Sequence, residues 1–319
     1  MENTRKLMEA NLTDVVEFIL LGFSDLPKLQ GLLFGIFLVV YMSILIGNGL
    51  IIIITKTDRT LQTPMYFFLG NFSFLEICYT SVTLPRLLWN LGTQKRNISV
   101  LACAVQLCFF LTLAITECSH LAIMAYDRYV AICKPLYYPL IMNHKFCVHL
   151  VFASWIISIV SQIGQTCLIF SLHFCFPKLN HIFCDMAPLL KAACGDTYMN
   201  ELSISIAMLI FVVTPFILIL LSYFKIIVTV MKLKSAQGRS KAFSVCSSHL
   251  VVVLMYFGTG IVMYLRPKSE HSANFEKITS LLYLMITPVF NPLIYSLRNN
   301  DVIVALKKLI LKWQDLQNK

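Results

Sequence analysis

The chain has 319 residues, of which 58% are hydrophobic and 13% are charged, and its mean hydropathy is +0.75. A soluble globule of this length would have too few polar side chains to cover its surface, so the composition excludes an ordinary soluble enzyme, a disordered chain and a small disulfide-stapled secreted domain. The net charge of +10 does not indicate a nucleic-acid partner, because the basic residues lie in short clusters between apolar runs and form no continuous basic face.

Seven apolar runs are each long enough to cross a membrane, which takes about 20 helical residues. Lipid offers no hydrogen-bond partners to the backbone, so such runs predict helices, and the fold class is an all-α seven-transmembrane helix bundle. The short connections leave no room for a soluble catalytic domain. The runs lie between Lys28 and Lys56 and at about residues 64–84, 101–126, 146–170, 202–224, 242–265 and 278–297.

An odd number of spans puts the two termini on opposite sides of the membrane. With the N-terminus outside, the inner segments hold far more basic than acidic residues while the outer segments are nearly balanced, and the positive-inside rule favours this orientation. A glycosylation sequon at Asn11 agrees with it. We therefore expect an extracellular tail (1–28), a membrane-spanning helix bundle (29–298) and a cytoplasmic tail (299–319) with a short amphipathic helix.

Four of the eleven cysteines are expected outside the cell. Cys103 stands at the outer end of the third span, and Cys175, Cys184 and Cys194 follow the fourth span. An even number in an oxidising compartment indicates two disulfides. Four cysteines allow three connectivities, and spacing alone does not choose among them.

The third span ends in the segment MAYDRYVAIC, residues 124–133. An arginine at a membrane edge is costly unless it is paired or reaches water. The pattern Asp127-Arg128-Tyr129 indicates a switch, in which Asp127 holds Arg128 at rest and releases it to meet a partner. The alternative is an interfacial positive charge that extends toward the headgroups.

The seventh span ends in NPLIYSLRN, residues 291–299. Pro292 removes a backbone donor in mid-helix, and Asn291 is expected to satisfy the freed groups. The pattern predicts a hinge with Tyr295 one turn further along, whereas the alternative is a static kink.

These motifs resemble those of rhodopsin-like G-protein-coupled receptors, and most closely those of vertebrate olfactory receptors. The segments PMYFFL (64–69), Ser222-Tyr223 and KAFSVCSSHL (241–250) match the same family, so that the resemblance covers essentially the whole chain. It implies a receptor that binds small, mostly apolar organic ligands and activates a stimulatory olfactory G protein, which raises cyclic AMP. It also implies a plasma-membrane location in the cilia of olfactory sensory neurons, no enzyme activity and no required cofactor.

The resemblance also implies disulfides between Cys103 and Cys184 and between Cys175 and Cys194. The expected G-protein switch comprises Asp127, Arg128, Tyr129, Tyr223, Asn291, Pro292 and Tyr295. The expected ligand pocket comprises Phe110, Leu111, Ala114 and Ile115 of the third span, Ala207, Met208 and Phe211 of the fifth, and Phe257, Gly260, Ile261 and Tyr264 of the sixth. Tyr264 is the expected polar contact. Where the family usually has Phe-Tyr-Gly, this chain has Tyr256-Phe257-Gly258. A polar contact from a tyrosine hydroxyl at position 257 is therefore in doubt.

Glu76 and Glu117 are the carboxylates inside the spans, and a lone buried carboxylate should take a proton or a partner. The resemblance places both near Asn291, where related receptors hold sodium. The hypothesis is a shared sodium ion or proton that stabilises the resting state, and the alternative is two independently protonated side chains.

Two rival functions stay open at this point. The same receptor type could sense a metabolite outside the olfactory epithelium, which the sequence does not distinguish. A small-solute transporter would predict homologous halves and charges along a path, and the sequence has neither. Beyond the ligand and the G protein, the expected partner is membrane lipid at the basic clusters.

Overall fold

The computed structural model describes residues 15–232, 235–264, 273–298 and 300–317, with side chains omitted at some positions near the ends of the later helices. Within these ranges, eight long helices follow one another along the chain. They are α1 (Gln30–Thr57), α2 (Pro64–Thr93), α3 (Val100–Cys133), α4 (His144–Phe170), α5 (Tyr198–Met231), α6 (Ala236–Tyr264), α7 (Ala273–Arg298) and α8 (Asn300–Gln317).

Six of these helices are long and apolar enough to cross a membrane, and α6 contributes a shorter apolar stretch, Cys246–Ile261, within its described part. The outward faces carry large apolar side chains, among them Ile163, Leu218 and Leu254, each about half exposed or more. Such a surface is stable in lipid and costly in water. The predicted bundle of seven spanning helices is confirmed.

Several helix ends follow from local sequence. The Ser99 side chain accepts a hydrogen bond from the Ala102 N–H and caps α3, and the Asn143 side chain accepts one from the Phe146 N–H and caps α4. Pro64 begins α2, where the missing N–H costs nothing. Gln94 ends α2 in the left-handed conformation, with φ of 58°.

α3 lies at the centre of the bundle and packs against α2, α4, α5 and α6, while α1 packs against α2 and α7. The helix α8 lies across the end of α1, where Val302 and Ala305 join Ile51 and Ile54 in a second apolar cluster. We call the end of the bundle that holds Arg128 and α8 the Arg128 end. The opposite end is the disulfide end, where Cys103 is bonded to Cys184 and Cys175 to Cys194.

A three-stranded sheet covers the disulfide end. Its central strand β1 (Glu17–Leu20) pairs antiparallel with β2 (Asn97–Ser99) and parallel with β3 (Lys178–Leu179). Phe18 is fully buried beneath it, with its ring 5.1 Å from that of Phe174. The tail segment before α1 is therefore part of the folded structure, which the sequence did not predict.

Candidate functional site: a ligand cavity and a switch region

An apolar cavity of about 300 Å³ lies between α3, α4, α5 and α6. A volume of this size is typical of a small-molecule site. Among the described residues, the lining contains no acidic or basic side chain. It is formed by Leu111, Ala114, Ile115, Cys118, Gln162, Gln165, Met186, Ile204, Ala207, Met208, Val212, Val213, Phe216, Tyr256, Phe257, Gly260, Ile261 and Tyr283.

Most of the residues expected to form the pocket do line this cavity: Leu111, Ala114, Ile115, Ala207, Met208, Phe257, Gly260 and Ile261. Phe110 does not, because it faces α2 and the loop after α4, with ring centroids 5.3 Å from Tyr79 and 4.7 Å from Phe183. The side chain of Tyr264 lies outside the described residues.

Phe211 is also not part of the lining, and the reason is a change in helix geometry. A continuous α-helix would put Phe211 on the same face as Met208. Residues Leu209–Val213 instead form a π-helical turn, whose extra residue displaces the following side chains around the axis. Val212, Val213 and Phe216 therefore face the cavity in its place.

α4 forms one wall of the cavity, and this was not predicted from the sequence. Gln162 and Gln165 both line the cavity and are buried, and they are three residues apart on a largely apolar span. Two amides one turn apart on a lipid-embedded helix indicate an inward-facing side, because a polar group in contact with lipid is costly. That spacing was the available signal.

The hydroxyl that Phe257 lacks is present on the preceding residue, Tyr256. The Tyr256 hydroxyl donates to the Ala114 carbonyl at 2.8 Å and accepts from the Tyr283 hydroxyl at 2.9 Å. Cys118 Sγ lies 3.4 Å from the same oxygen. Phe257 instead packs against Phe216, with ring centroids 4.8 Å apart.

The three residues expected at a sodium site lie together in the middle of the bundle. Glu76, Glu117 and Asn291 are all buried. The Asn291 side chain donates a hydrogen bond to Glu76, and the two carboxyl groups interact with each other. α2, α3 and α7 thus meet at one polar cluster.

Asn291 does not satisfy the backbone group freed by Pro292, and this expectation is wrong. The carbonyl left without its helical donor is that of Pro288, four residues earlier. Asn48 of α1 donates to it at 3.1 Å and also to the Ile44 carbonyl at 3.1 Å. α1 and α7 approach each other closely here, since a Cβ at Gly47 would lie 3.1 Å from the Pro292 ring. The Tyr295 side chain lies outside the described residues.

At the Arg128 end, Asp127 Oδ2 lies 3.4 Å from the Arg128 guanidinium, and both side chains are buried. The hydroxyl of Tyr138, in the loop between α3 and α4, donates to Asp127 Oδ1 at 2.8 Å. Burial and then the negative charge of Asp127 raise the pKa of the Tyr138 phenol above its usual range. No sequence pattern predicts this contact.

The remaining switch residues face α5 and α6. The Tyr223 hydroxyl lies 2.7 Å from His249 Nδ1, and the two rings are stacked. The Tyr129 ring lies under the Lys225 ammonium, with 5.6 Å between the ammonium nitrogen and the ring centre. Asn11 lies outside the described residues.

The family model of olfactory receptors matches residues 37–313. This chain belongs to the olfactory receptor family. Olfactory receptor 10AG1 of Homo sapiens is 55% identical over 298 residues, which are 93% of this chain and 99% of that protein. Olfactory receptor 5AP2 of Mus musculus is 45% identical over 305 residues, which are 95% and 96% of the two chains.

The fold of this olfactory receptor is similar to that of squid rhodopsin, with a TM-score of 0.72 over 89% of this chain and 80% of that one, at 19% identity. The similarity confirms the rhodopsin-like bundle. The family consists of membrane-embedded signalling receptors, and the receptor is not an enzyme. Its cavity lining and Glu117 of the carboxyl cluster share one stretch of α3, and Arg128 lies further along the same helix.

Proposed function

We propose that this receptor binds a small, uncharged, largely apolar odorant in the cavity between α3 and α6 and then activates a stimulatory olfactory G protein, which raises cyclic AMP. The observation that carries the proposal is a cavity without charged lining among the described residues. It is built in part on α3, which also carries Asp127 and Arg128, and on α6, whose His249 bonds Tyr223. Burial of apolar area would supply most of the affinity.

Contacts along α3 and α6 offer a route from ligand to switch. Tyr256 lines the cavity and bonds the α3 backbone at Ala114, and Cys118 follows Glu117 directly. Further along the same helices, His249 bonds Tyr223 of α5, and Arg128 pairs with Asp127. A ligand that favours another α3–α6 packing would shift the population toward a state in which Arg128 leaves Asp127. Pro292 would serve as the hinge of α7.

The carboxyl cluster has the oxygen atoms that a sodium site needs. Glu76 Oε2, Glu117 Oε1 and Asn291 Oδ1 are buried and have no hydrogen-bond partner among the described residues. Hard cations prefer carboxylate and amide oxygens, so these residues fit the ion. Bound there, a sodium ion would offset the charge of one of the two carboxylates at rest, and a proton on the other carboxyl would offset the second. Equal agonist potency across a wide sodium range in Glu117→Gln and in the unaltered receptor would contradict the site.

The topology that goes with this function has the disulfide end outside the cell. We propose an extracellular tail (1–28) glycosylated at Asn11, a membrane bundle (29–298) and a cytoplasmic tail (299–319), in the ciliary plasma membrane of olfactory neurons. The exposed ammonium of Lys308 on α8 and the other basic residues at the Arg128 end would meet anionic lipid.

The test is a cyclic AMP reporter assay in cells that display the receptor, with an odorant panel. An odorant response that Arg128→Ala abolishes at equal surface expression is the expected result. A response that persists in Arg128→Ala, or no response to any odorant from a receptor at the cell surface, would contradict the proposal.

A further inference from the structure

The polar groups around the cavity are few, and most have partners. Five of the lining residues have an N–H, O–H or S–H group in the side chain: Cys118, Gln162, Gln165, Tyr256 and Tyr283. Tyr256 donates to the Ala114 carbonyl, Tyr283 donates to Tyr256, and the Cys118 thiol points at the same oxygen. Gln162 donates to the Ser161 hydroxyl at 3.2 Å. The tyrosine hydroxyls therefore offer little to a ligand without breaking a bond inside the protein.

Gln165 differs from the others. Its Oε1 accepts a hydrogen bond from the Ser203 hydroxyl of α5 at 2.9 Å, which links α4 to α5 and orients the amide. Its Nε2 is buried and donates to no atom of the described residues, although the side chain is only 6% exposed. A buried amide donor without an acceptor destabilises the folded protein, and a ligand that supplies the acceptor removes this cost.

From this geometry we infer that Gln165 selects ligands with an uncharged acceptor oxygen, namely ketones, aldehydes and esters. The inference deepens the proposed function and rests on it, because it assumes that the cavity is the ligand site. A carbonyl compound brings acceptors only and leaves no donor of its own unpaired in an apolar cavity. A carboxylate is excluded because the described lining offers no cation to pair with it.

The experiment compares a ketone with the hydrocarbon in which its carbonyl is replaced by a methylene. Both are tested on the unaltered receptor, on Gln165→Leu and on Gln162→Leu. The two substitutions remove similar amides from the same helix and the same cavity, so Gln162→Leu is the matched control. Potency is measured by cyclic AMP, and binding by the ligand-induced shift in the thermal unfolding midpoint of the purified receptor.

We expect the ketone to be more potent than the hydrocarbon by ~10-fold or more in the unaltered receptor and in Gln162→Leu. In Gln165→Leu the difference should fall to within about twofold, while the hydrocarbon keeps its potency, which shows that the cavity is intact.

An undiminished ketone preference in Gln165→Leu would overturn the inference. Equal loss of the preference in both variants would also overturn it. A preference for ligands that only donate hydrogen bonds would do the same, since these would pair with an oxygen and not with Nε2.

The two readouts separate this inference from the proposed function. Midpoint shifts with the expected pattern but no cyclic AMP would support the role of Gln165 and contradict the G-protein coupling. Cyclic AMP responses restricted to other ligand classes would support the receptor function and overturn the role of Gln165.

Discussion

The cavity and the Arg128 end are buried in the same bundle but have opposite chemistry. The cavity wall is almost entirely apolar and has a buried donor, Gln165 Nε2, without a partner. At the Arg128 end, Asp127 is paired with both Arg128 and Tyr138, and Tyr223 is paired with His249. An apolar wall with one donor unpaired among the described residues can accept a ligand and can change by substitution at little cost to the fold. Paired groups hold one arrangement until something of comparable strength replaces it, which is what a switch requires.

If the two regions are separable, filling the cavity should remove ligand response and leave the switch intact. Ala207→Phe places a large ring in the space that a ligand would occupy, and we expect potency to fall by roughly 10- to 100-fold with basal cyclic AMP unchanged. Ile206→Phe is the control, because Ile206 is next in sequence and half exposed on the outward face. A similar loss in both variants would show that the effect is not steric exclusion from the cavity.

The contact between α1 and the kink of α7 should matter for stability rather than for ligand choice. Asn48→Ala leaves the Pro288 carbonyl without its donor, which we expect to cost about 1–3 kcal/mol of unfolding free energy. The readout is the thermal unfolding midpoint of the purified receptor. Asn71→Ala serves for comparison, since Asn71 donates only to the Phe67 carbonyl of its own helix. An Asn48→Ala midpoint equal to that of Asn71→Ala would show that the bond to Pro288 contributes no net stability.

The smallest predicted effect is at the loop contact to Asp127. Tyr138→Phe removes the hydroxyl that bonds Asp127 and so weakens the resting arrangement by about 1 kcal/mol. Basal cyclic AMP should rise by up to about fivefold where the resting state dominates. The neighbouring Tyr137 is exposed, so Tyr137→Phe should change nothing. A fall in basal signal in Tyr138→Phe would mean that this bond stabilises the active state instead.

The membrane fold was largely predictable from the sequence, because an apolar run of about 20 residues has few alternatives to a spanning helix. The motifs that contain Arg128 and Pro292 could be located in the sequence, because they are long and specific. The contacts around them were not predictable, because Tyr138, His249 and Asn48 reach Asp127, Tyr223 and Pro288 from separate helices and loops. Asn291 illustrates the difficulty, since it bonds Glu76 across the bundle and not the backbone beside Pro292.

The cavity shows where periodicity alone fails. Helical spacing found the α3 face but included Phe110, which belongs to the side facing α2. The family resemblance, which supplied the positions on α5, included Phe211, because a π-helical turn has no simple sequence pattern and changes every position after it. The three-stranded sheet was missed for a related reason, as its strands are two to four residues long and come from three distant segments.

The central claim is that ligand recognition and G-protein switching occupy separate regions joined by α3 and α6. The most direct test measures both quantities on Arg128→Ala, using an odorant that activates the unaltered receptor. We predict that the odorant raises the thermal unfolding midpoint of Arg128→Ala as much as that of the unaltered receptor, while the cyclic AMP response is lost. A lost midpoint shift in a variant that is otherwise folded, or a retained cyclic AMP response, would contradict the account.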